Sequence, residues 1–227
     1  MDMETMGLNP SARVLEVSCR LAFWDKNAES FFMLAGTHVL SEMFLNVKKM
    51  TSDIQWCLDT FTNNELFKDQ SDYGVPMGEV TDALALYLIL ARYICTELDD
   101  LLGESDKKTE VYMAGSSVYF DHTRLFNNVK GVNEHLPQLH YRLLDASSFM
   151  LAHELLDNDS AKLSGEQLKA VKEAVAEFIT NTTEAISATD HRTEYDTICS
   201  MAKMTHHLRM LNGHVLVTTA EAAPQGL

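Results

Sequence analysis

Residues 1–21 read Met1-Asp2-Met3-Glu4-Thr5-Met6-Gly7-Leu8-Asn9-Pro10-Ser11-Ala12-Arg13-Val14-Leu15-Glu16-Val17-Ser18-Cys19-Arg20-Leu21, and the way they fold decides how the rest of the chain is read. Asp2 and Glu4 are alternate residues, so a strand puts both carboxylates on one face. Almost nothing precedes them, which predicts a short first strand close to a terminus, where chains fray. Asn9-Pro10 signals a turn. Beyond it Val14, Leu15, Val17, Cys19, Leu21 and Phe23 nearly alternate with polar residues. Residues 12–23 therefore predict a strand, paired with residues 1–6 as a hairpin.

Working outward, a third strand is expected over Ser30 to Leu34, and Thr51-Ser52-Asp53 starts a helix through Phe61. Val80 to Leu102 predicts a long apolar helix stopped at Gly103, followed by a charged loop over Glu104 to Thr109. Val111 to Ala114 predicts a short buried strand. It leads through Gly115-Ser116-Ser117 into a helix from Val118 to Asn128. Tyr141 to Leu144 repeats the pattern, with a helix through Leu156. Ser164-Gly165-Glu166-Gln167 opens another helix, in which Leu168, Val171, Val175, Phe178 and Ile179 follow helical spacing and read as a packing face. A last helix is expected from Arg192 to Leu211, with a loose tail over 212–227. Strands first, then helices mixed with strands, predict one α/β domain over 1–211, with a mixed β-sheet flanked by helices.

Bulk composition excludes several classes. No apolar run approaches the roughly 20 residues that span a bilayer, and no basic segment leads into an apolar core, so neither a membrane segment nor a signal peptide is expected. Cys19, Cys57, Cys95 and Cys199 are far apart in sequence. That spacing argues for reduced thiols in a cytoplasmic protein and against structural zinc. The net charge of −15 opposes a grip on long nucleic acid, which needs a basic face. Short pieces, or bound cations that supply positive charge, remain compatible with it.

Three later stations echo Asp2 and Glu4. Asp121 follows the buried strand and the Gly115-Ser116-Ser117 turn. His191 and Asp196 lie at the start of the last helix, with Asp190 beside the histidine and able to raise its pKa by charge attraction. Four carboxylates in one place repel one another unless a cation neutralises them. Hard divalent ions such as Mg²⁺ take oxygen ligands, and a pair of such ions suits phosphodiester hydrolysis. A histidine titrates near neutral pH and can accept the proton of an attacking water. Singly, each of these residues is as well explained by a solvated carboxylate, a helix cap or a salt bridge; their order and strand-end contexts give them weight together.

On these residues the chain resembles the DEDDh 3′-to-5′ exonucleases of the ribonuclease H-like superfamily. Asp2 to Pro10 is similar to their first motif, Gly115 to Leu125 to the second, and His191 to Asp196 to the third. The likeness covers most of 1–211. Within the superfamily it is best to the oligoribonucleases. Ser117-Val118-Tyr119-Phe120-Asp121 is similar to their Ser-Val-Tyr-x-Asp, and His140-Tyr141-Arg142-Leu143-Leu144-Asp145-Ala146-Ser147 to their His-Tyr-Arg-x-Leu-Asp-x-Ser. The resemblance implies a ribonuclease H-like sheet, with residues 157–188 as a helical insertion before the last motif. It also implies Asp2, Glu4, Asp121 and Asp196 as ligands of two Mg²⁺ or Mn²⁺ ions, and His191 as general base. Ser117, Arg142 and Ser147 would grip a terminal phosphate, with Tyr119 in the same motif on the substrate side. Leu8 would wedge against a base and Trp56 line the cleft, although helix packing explains Trp56 slightly better. A homodimer is implied in the same way.

The expected function is metal-dependent 3′-to-5′ hydrolysis of short single-stranded RNA to nucleoside 5′-monophosphates. A second likeness, of Thr51-Ser52-Asp53-Ile54-Gln55-Trp56 and the Glu4-Thr5-Met6-Gly7 opening to phage-type DNA exonucleases, makes single-stranded DNA the alternative substrate. A family member that has lost catalysis and only binds nucleic acid or protein is the non-enzymatic alternative, favoured by the short first strand.

Overall fold

A computed structural model of the 227-residue chain describes residues 1–43, 49–102, 110–128, 139–155, 164–182 and 191–221. In chain order the elements are β1 (Asp2–Thr5), β2 (Val14–Asp25), β3 (Ser30–Leu40), α1 (Ser52–Asn63), α2 (Leu66–Tyr73), α3 (Met77–Leu102), β4 (Tyr112–Gly115), α4 (Val118–Asn128), β5 (His140–Asp145), α5 (Ala146–Leu155), α6 (Gly165–Thr182) and α7 (Thr193–Glu221). The architecture is mixed α/β. Among the described residues the strands form two sheets, an antiparallel β1-β2-β3 meander and a parallel β4-β5 pair. They meet at the N-terminus, where the Met1 ammonium donates to the Ala114 carbonyl at 2.8 Å. Gly115 permits that approach, because a Cβ there would lie 2.6 Å from the Met1 carbonyl oxygen.

The hairpin forms as its alternation predicts. Asp2 lies opposite Ser18 and Glu4 opposite Glu16. Asn9 makes the turn by accepting the Ser11 N–H on its side chain and the Ala12 N–H on its carbonyl. β2 is the central strand. Met3, Val17 and Leu21 pack with Val80, Leu84, Tyr87 and Ala91 of α3, whose three- and four-residue spacing makes one apolar face. Leu15 and Leu40 pack instead with Phe61 of α1 and Leu66 of α2. Full burial of a side chain such as Phe61 contributes about 1.5–3 kcal/mol, so these two clusters fix β2 between helices. α6 opens on a reciprocal cap: Ser164 Oγ accepts the Gln167 N–H, and Gln167 Oε1 accepts the Ser164 N–H.

Four expectations differ from the structure. β3 runs to Leu40 rather than ending near Leu34, because its polar second half is held by partners: His38 lies opposite Ser18, and its Nε2 is 2.7 Å from Glu16 Oε1. α2 occupies a stretch for which the sequence predicts no element, since its buried residues include Asp69 and Gln70, which give no apolar signal. The long helix begins at Met77, one residue after Pro76, whose carbonyl accepts the Glu79 and Val80 N–H groups. α7 continues to Glu221 instead of giving way to a tail at 212, since one glycine weakens a helix without ending it. The Gly103 stop, the Glu104 to Thr109 loop, Asp190, and all of the 157–188 segment except 164–182 lie outside the described residues. Among described residues no helix is long and apolar enough to cross a membrane. All four cysteines are free and buried.

Candidate metal centre

β1 supplies the first two carboxylates. Met3 and Thr5 are buried on one side of the strand, so Asp2 and Glu4 share the other. Thr5 closes the following turn by donating from Oγ1 to the Gly7 carbonyl. Gly7 has φ +114°, a conformation that favours glycine. Asp121 comes from the first turn of α4 and is 4 % exposed. It is aimed by Ser117, held at φ +56°, whose carbonyl accepts the Phe120 N–H. One turn on, the buried Arg124 stacks on Phe120 and donates to the Leu8 carbonyl at 2.6 Å. That bond ties α4 to the segment after β1.

Asp196 and His191 belong to the start of α7. His191 has φ +61°; its N–H donates to Asp196 Oδ2 at 3.0 Å, and its carbonyl accepts from Asn64 Nδ2 at 2.7 Å. The ring packs edge-on against Trp56, with centroids 5.0 Å apart, and Nδ1 is 4.0 Å from Glu4 Oε1. Glu4, His191 and Asp196 each offer a ligand atom, all within 4.8 Å of one another.

Asp2 and Asp121 lie outside that 4.8 Å set, but Asp2 is repelled by both Asp121 and Asp196. Burial, followed by repulsion from Asp121 and Asp196, holds Asp2 well above the usual carboxylate range. Burial, then Asp2 and Asp196, does the same to Glu4. Burial pushes Asp121 to about 7, with Asp145 adding repulsion while the N-terminal ammonium and Arg124 oppose the rise. A group of mutually repelling, partly dehydrated carboxylates is the donor set that a hard divalent cation neutralises, so these residues fit such an ion.

These shifts have a direction that can be measured. A carboxyl whose folded-state pKa is raised stabilises the fold below its unfolded pKa and loses that share as pH rises through the folded value. Without divalent ions, the midpoint of thermal unfolding should therefore fall between pH 4 and pH 8, with Asp121 contributing up to about pH 7. Mn²⁺ should raise the midpoint more at pH 8 than at pH 5. Equal Mn²⁺ effects at the two pH values would argue against a carboxylate site.

The third station is fixed by a buried ionic hub. Arg192 and Glu16 are both fully buried. Arg192 Nε and Nη2 reach Glu16 Oε1 at 3.1 and 3.0 Å, and Nη1 reaches Asp69 Oδ2 at 2.7 Å. Glu16 also accepts the Thr193 N–H at 2.9 Å, which puts a carboxylate on the N-terminus of α7, where the helix dipole favours it. Burial alone would raise Glu16, but the His38 hydrogen bond and the attraction of Arg192 outweigh it and leave its carboxyl below the usual range. Beside the hub, the buried Glu194 pairs with Arg20 and accepts from Ser18 Oγ at 2.5 Å.

The expected substrate residues divide into two groups. Ser117 and Ser147 lie together, with hydroxyl oxygens 3.4 Å apart. Their N–H groups both donate to Asp145 Oδ1 at 2.9 Å, a partner the sequence reading did not single out. Leu8, Trp56 and Tyr119 are exposed; the Leu8 N–H donates to Asp53 Oδ2 at 3.3 Å, which ties it to α1. Arg142 is exposed on β5, its N–H bonded to His140 Nδ1 at 3.1 Å. Glu16, Asp69, Asn64 and Arg192 were missed as positioning residues. The one signal for them was a charge set inside the apolar run Val14-Leu15-Glu16-Val17. No protein-family model matches the chain, and a search of curated proteins finds no match to it.

Proposed function

We propose that the chain is a metal-dependent 3′-to-5′ exonuclease of the DEDDh type, on a ribonuclease H-like fold, that hydrolyses short single-stranded RNA to nucleoside 5′-monophosphates. The reading is carried by the Glu4, His191 and Asp196 cluster, to whose carboxylates Asp2 and Asp121 are electrostatically coupled. The antiparallel β1-β2-β3 meander, joined at Met1 to a parallel β4-β5 pair, is compatible with that fold.

Asp2, Glu4, Asp121 and Asp196 would hold two Mg²⁺ or Mn²⁺ ions, which when bound supply Lewis-acid polarisation of the scissile phosphate and neutralise its charge. His191 would accept the proton of the attacking water. Its ring is about half exposed, so the proton can pass on to solvent, and Trp56 limits its orientations. Leu8 and Trp56 offer exposed apolar faces for a terminal base. Asp145 already occupies the amides of Ser117 and Ser147, which leaves a terminal phosphate to the two hydroxyls and Arg142. The net charge of −15 favours short substrates over long polyanions.

The test is hydrolysis of a 5′-labelled RNA dinucleotide, a longer RNA and the matching DNA dinucleotide, with and without Mn²⁺. Metal-dependent cleavage should be fastest on the RNA dinucleotide. Asp121→Asn keeps the size of the side chain but removes its charge. It should reduce the rate by at least about a hundredfold, in the range lost with other transition-state charge-stabilising groups, while circular dichroism stays unchanged. Retained activity in that variant would sink the assignment.

A further inference from the structure

α3 buries Val80, Leu84, Tyr87 and Ala91 against β2, and its outer face is exposed. At the middle of that outer face stand four large apolar side chains, Leu86, Ile89, Leu90 and Tyr93, with Leu86 66 % and Tyr93 60 % exposed. Glu79 and Asp82 are exposed on the N-terminal side of this patch, and Glu97 and Asp100 on its C-terminal side. These residues recur at three- and four-residue steps, so they form one stripe along the helix. Arg92, the single basic residue of α3, falls outside it. The helix itself accounts for only part of the acid. Glu79 lies in the first turn, where the helix dipole favours a carboxylate. Asp100 lies in the last turn, which holds no basic residue, and there the dipole opposes negative charge. Glu97 accepts a hydrogen bond from the Tyr93 hydroxyl, so the acid is joined to the apolar patch.

An exposed apolar patch rimmed by charge marks a docking surface, and here the charge selects what docks. A second copy of α3 laid antiparallel, with Leu86 over Tyr93 and Ile89 over Leu90, brings Glu79 onto Asp100 and Asp82 onto Glu97. A parallel copy brings each acid onto itself. Like charges placed in this way repel at both ends of the stripe. Anionic lipid and nucleic acid meet the same repulsion. We propose that the outer face of α3 docks an amphipathic helix of a partner protein, whose apolar centre is flanked at both ends by lysine or arginine. The three- and four-residue spacing suits a shallow crossing, which keeps both ends of the partner helix over the acids. From Glu79 to Asp100 the stripe runs about 32 Å at 1.5 Å per residue, so the partner helix has about 22 residues. Tyr93 is the anchor, because its ring offers apolar area while Glu97 holds its hydroxyl. The face belongs to none of β1, α4 and α7, which hold the carboxylate group, so its occupancy does not depend on whether the chain hydrolyses RNA.

The probe is a blocked helical peptide of about 22 residues, with leucine and isoleucine at helical spacing over its centre and lysine in its two end turns. A second peptide has glutamate in place of lysine. In fluorescence anisotropy with the full chain, the lysine peptide should bind in the micromolar range and about tenfold more tightly than the glutamate peptide. The net charge of −15 attracts any basic peptide, so variants have to locate the binding. Leu86→Ser and Tyr93→Ser leave the charge unchanged and alter exposed positions, so both should fold. Each should weaken binding of the lysine peptide by about tenfold or more. Glu97→Lys combined with Asp100→Lys should reduce the preference for lysine over glutamate. The same change in charge on α6, by Glu166→Lys and Glu173→Lys, should leave that preference nearly as it was. No binding of the lysine peptide, equal binding of the glutamate peptide, equal effects of the α3 and α6 charge variants, or full affinity in a folded serine variant would overturn the proposal. A dimer of the full chain in sedimentation that Leu86→Ser dissociates would also overturn it, because a second copy would then be the occupant.

Discussion

Arg192→Ala should cost about 3–5 kcal/mol of folding stability, the loss that follows removal of one partner from a buried ion pair. Ordinary domains have about 5–15 kcal/mol in total, so the variant should be close to unfolding at physiological temperature. The reason lies in what the guanidinium leaves behind. Glu16 would sit fully buried between β1, β3 and α7 with its principal countercharge gone, and Asp69 would lose its 2.7 Å partner. Arg192→Lys should recover only part of the loss, because an ammonium cannot bridge Glu16 and Asp69 as the planar fork does. Urea unfolding followed by circular dichroism measures both. A loss under about 1 kcal/mol for the alanine variant would mean that the hub is not what positions α7.

His191→Ala should slow hydrolysis by about 10²- to 10⁴-fold, the usual contribution of a general base. Two alternative explanations of such a loss have to be separated from it. One is backbone strain, since His191 has φ +61°, which alanine tolerates poorly. Asparagine enters the left-handed region more readily, so His191→Asn should be equally slow if the ring does the chemistry and faster if strain is the cause. The other is ligation, because His191 lies within ligand reach of Glu4 and Asp196. A base can be removed without weakening ion binding, so Mn²⁺ should stabilise His191→Asn as much as the parent chain. If Mn²⁺ stabilisation disappears with the ring, His191 is a ligand and another group takes the proton.

Much of this architecture is legible in the sequence, and the misses have physical causes. Alternation in Val14 to Phe23 and the spacing of Asp2 and Glu4 give the hairpin and its acidic face, because strand periodicity maps directly onto sides. α4 and α6 are legible through their turn and cap residues. Glu16 is not, because alternation sends a lone charge to solvent, whereas β2 is covered by helices on both sides and its charge is met by a residue far away in the chain. His38 and Asp69 fail to register for the same reason: each is polar, and each is held by a partner that local pattern cannot name. Of the candidate site, the five groups at its centre follow from order and spacing. The residues that aim them, Asn64, Arg192 and Asp145, act through single hydrogen bonds that leave no periodic trace.

The bond between Thr193 and Glu16 spans 177 positions of the chain. Until α7 has been synthesised and has closed back onto β2, neither His191 nor Asp196 stands beside Glu4. Closure over so long a separation is a late and slow event in folding. A chain in which α7 has not yet docked thus holds Asp2, Glu4 and Asp121 without Asp196 and His191. The acidic group is therefore completed by the docking of α7 rather than by the hairpin alone.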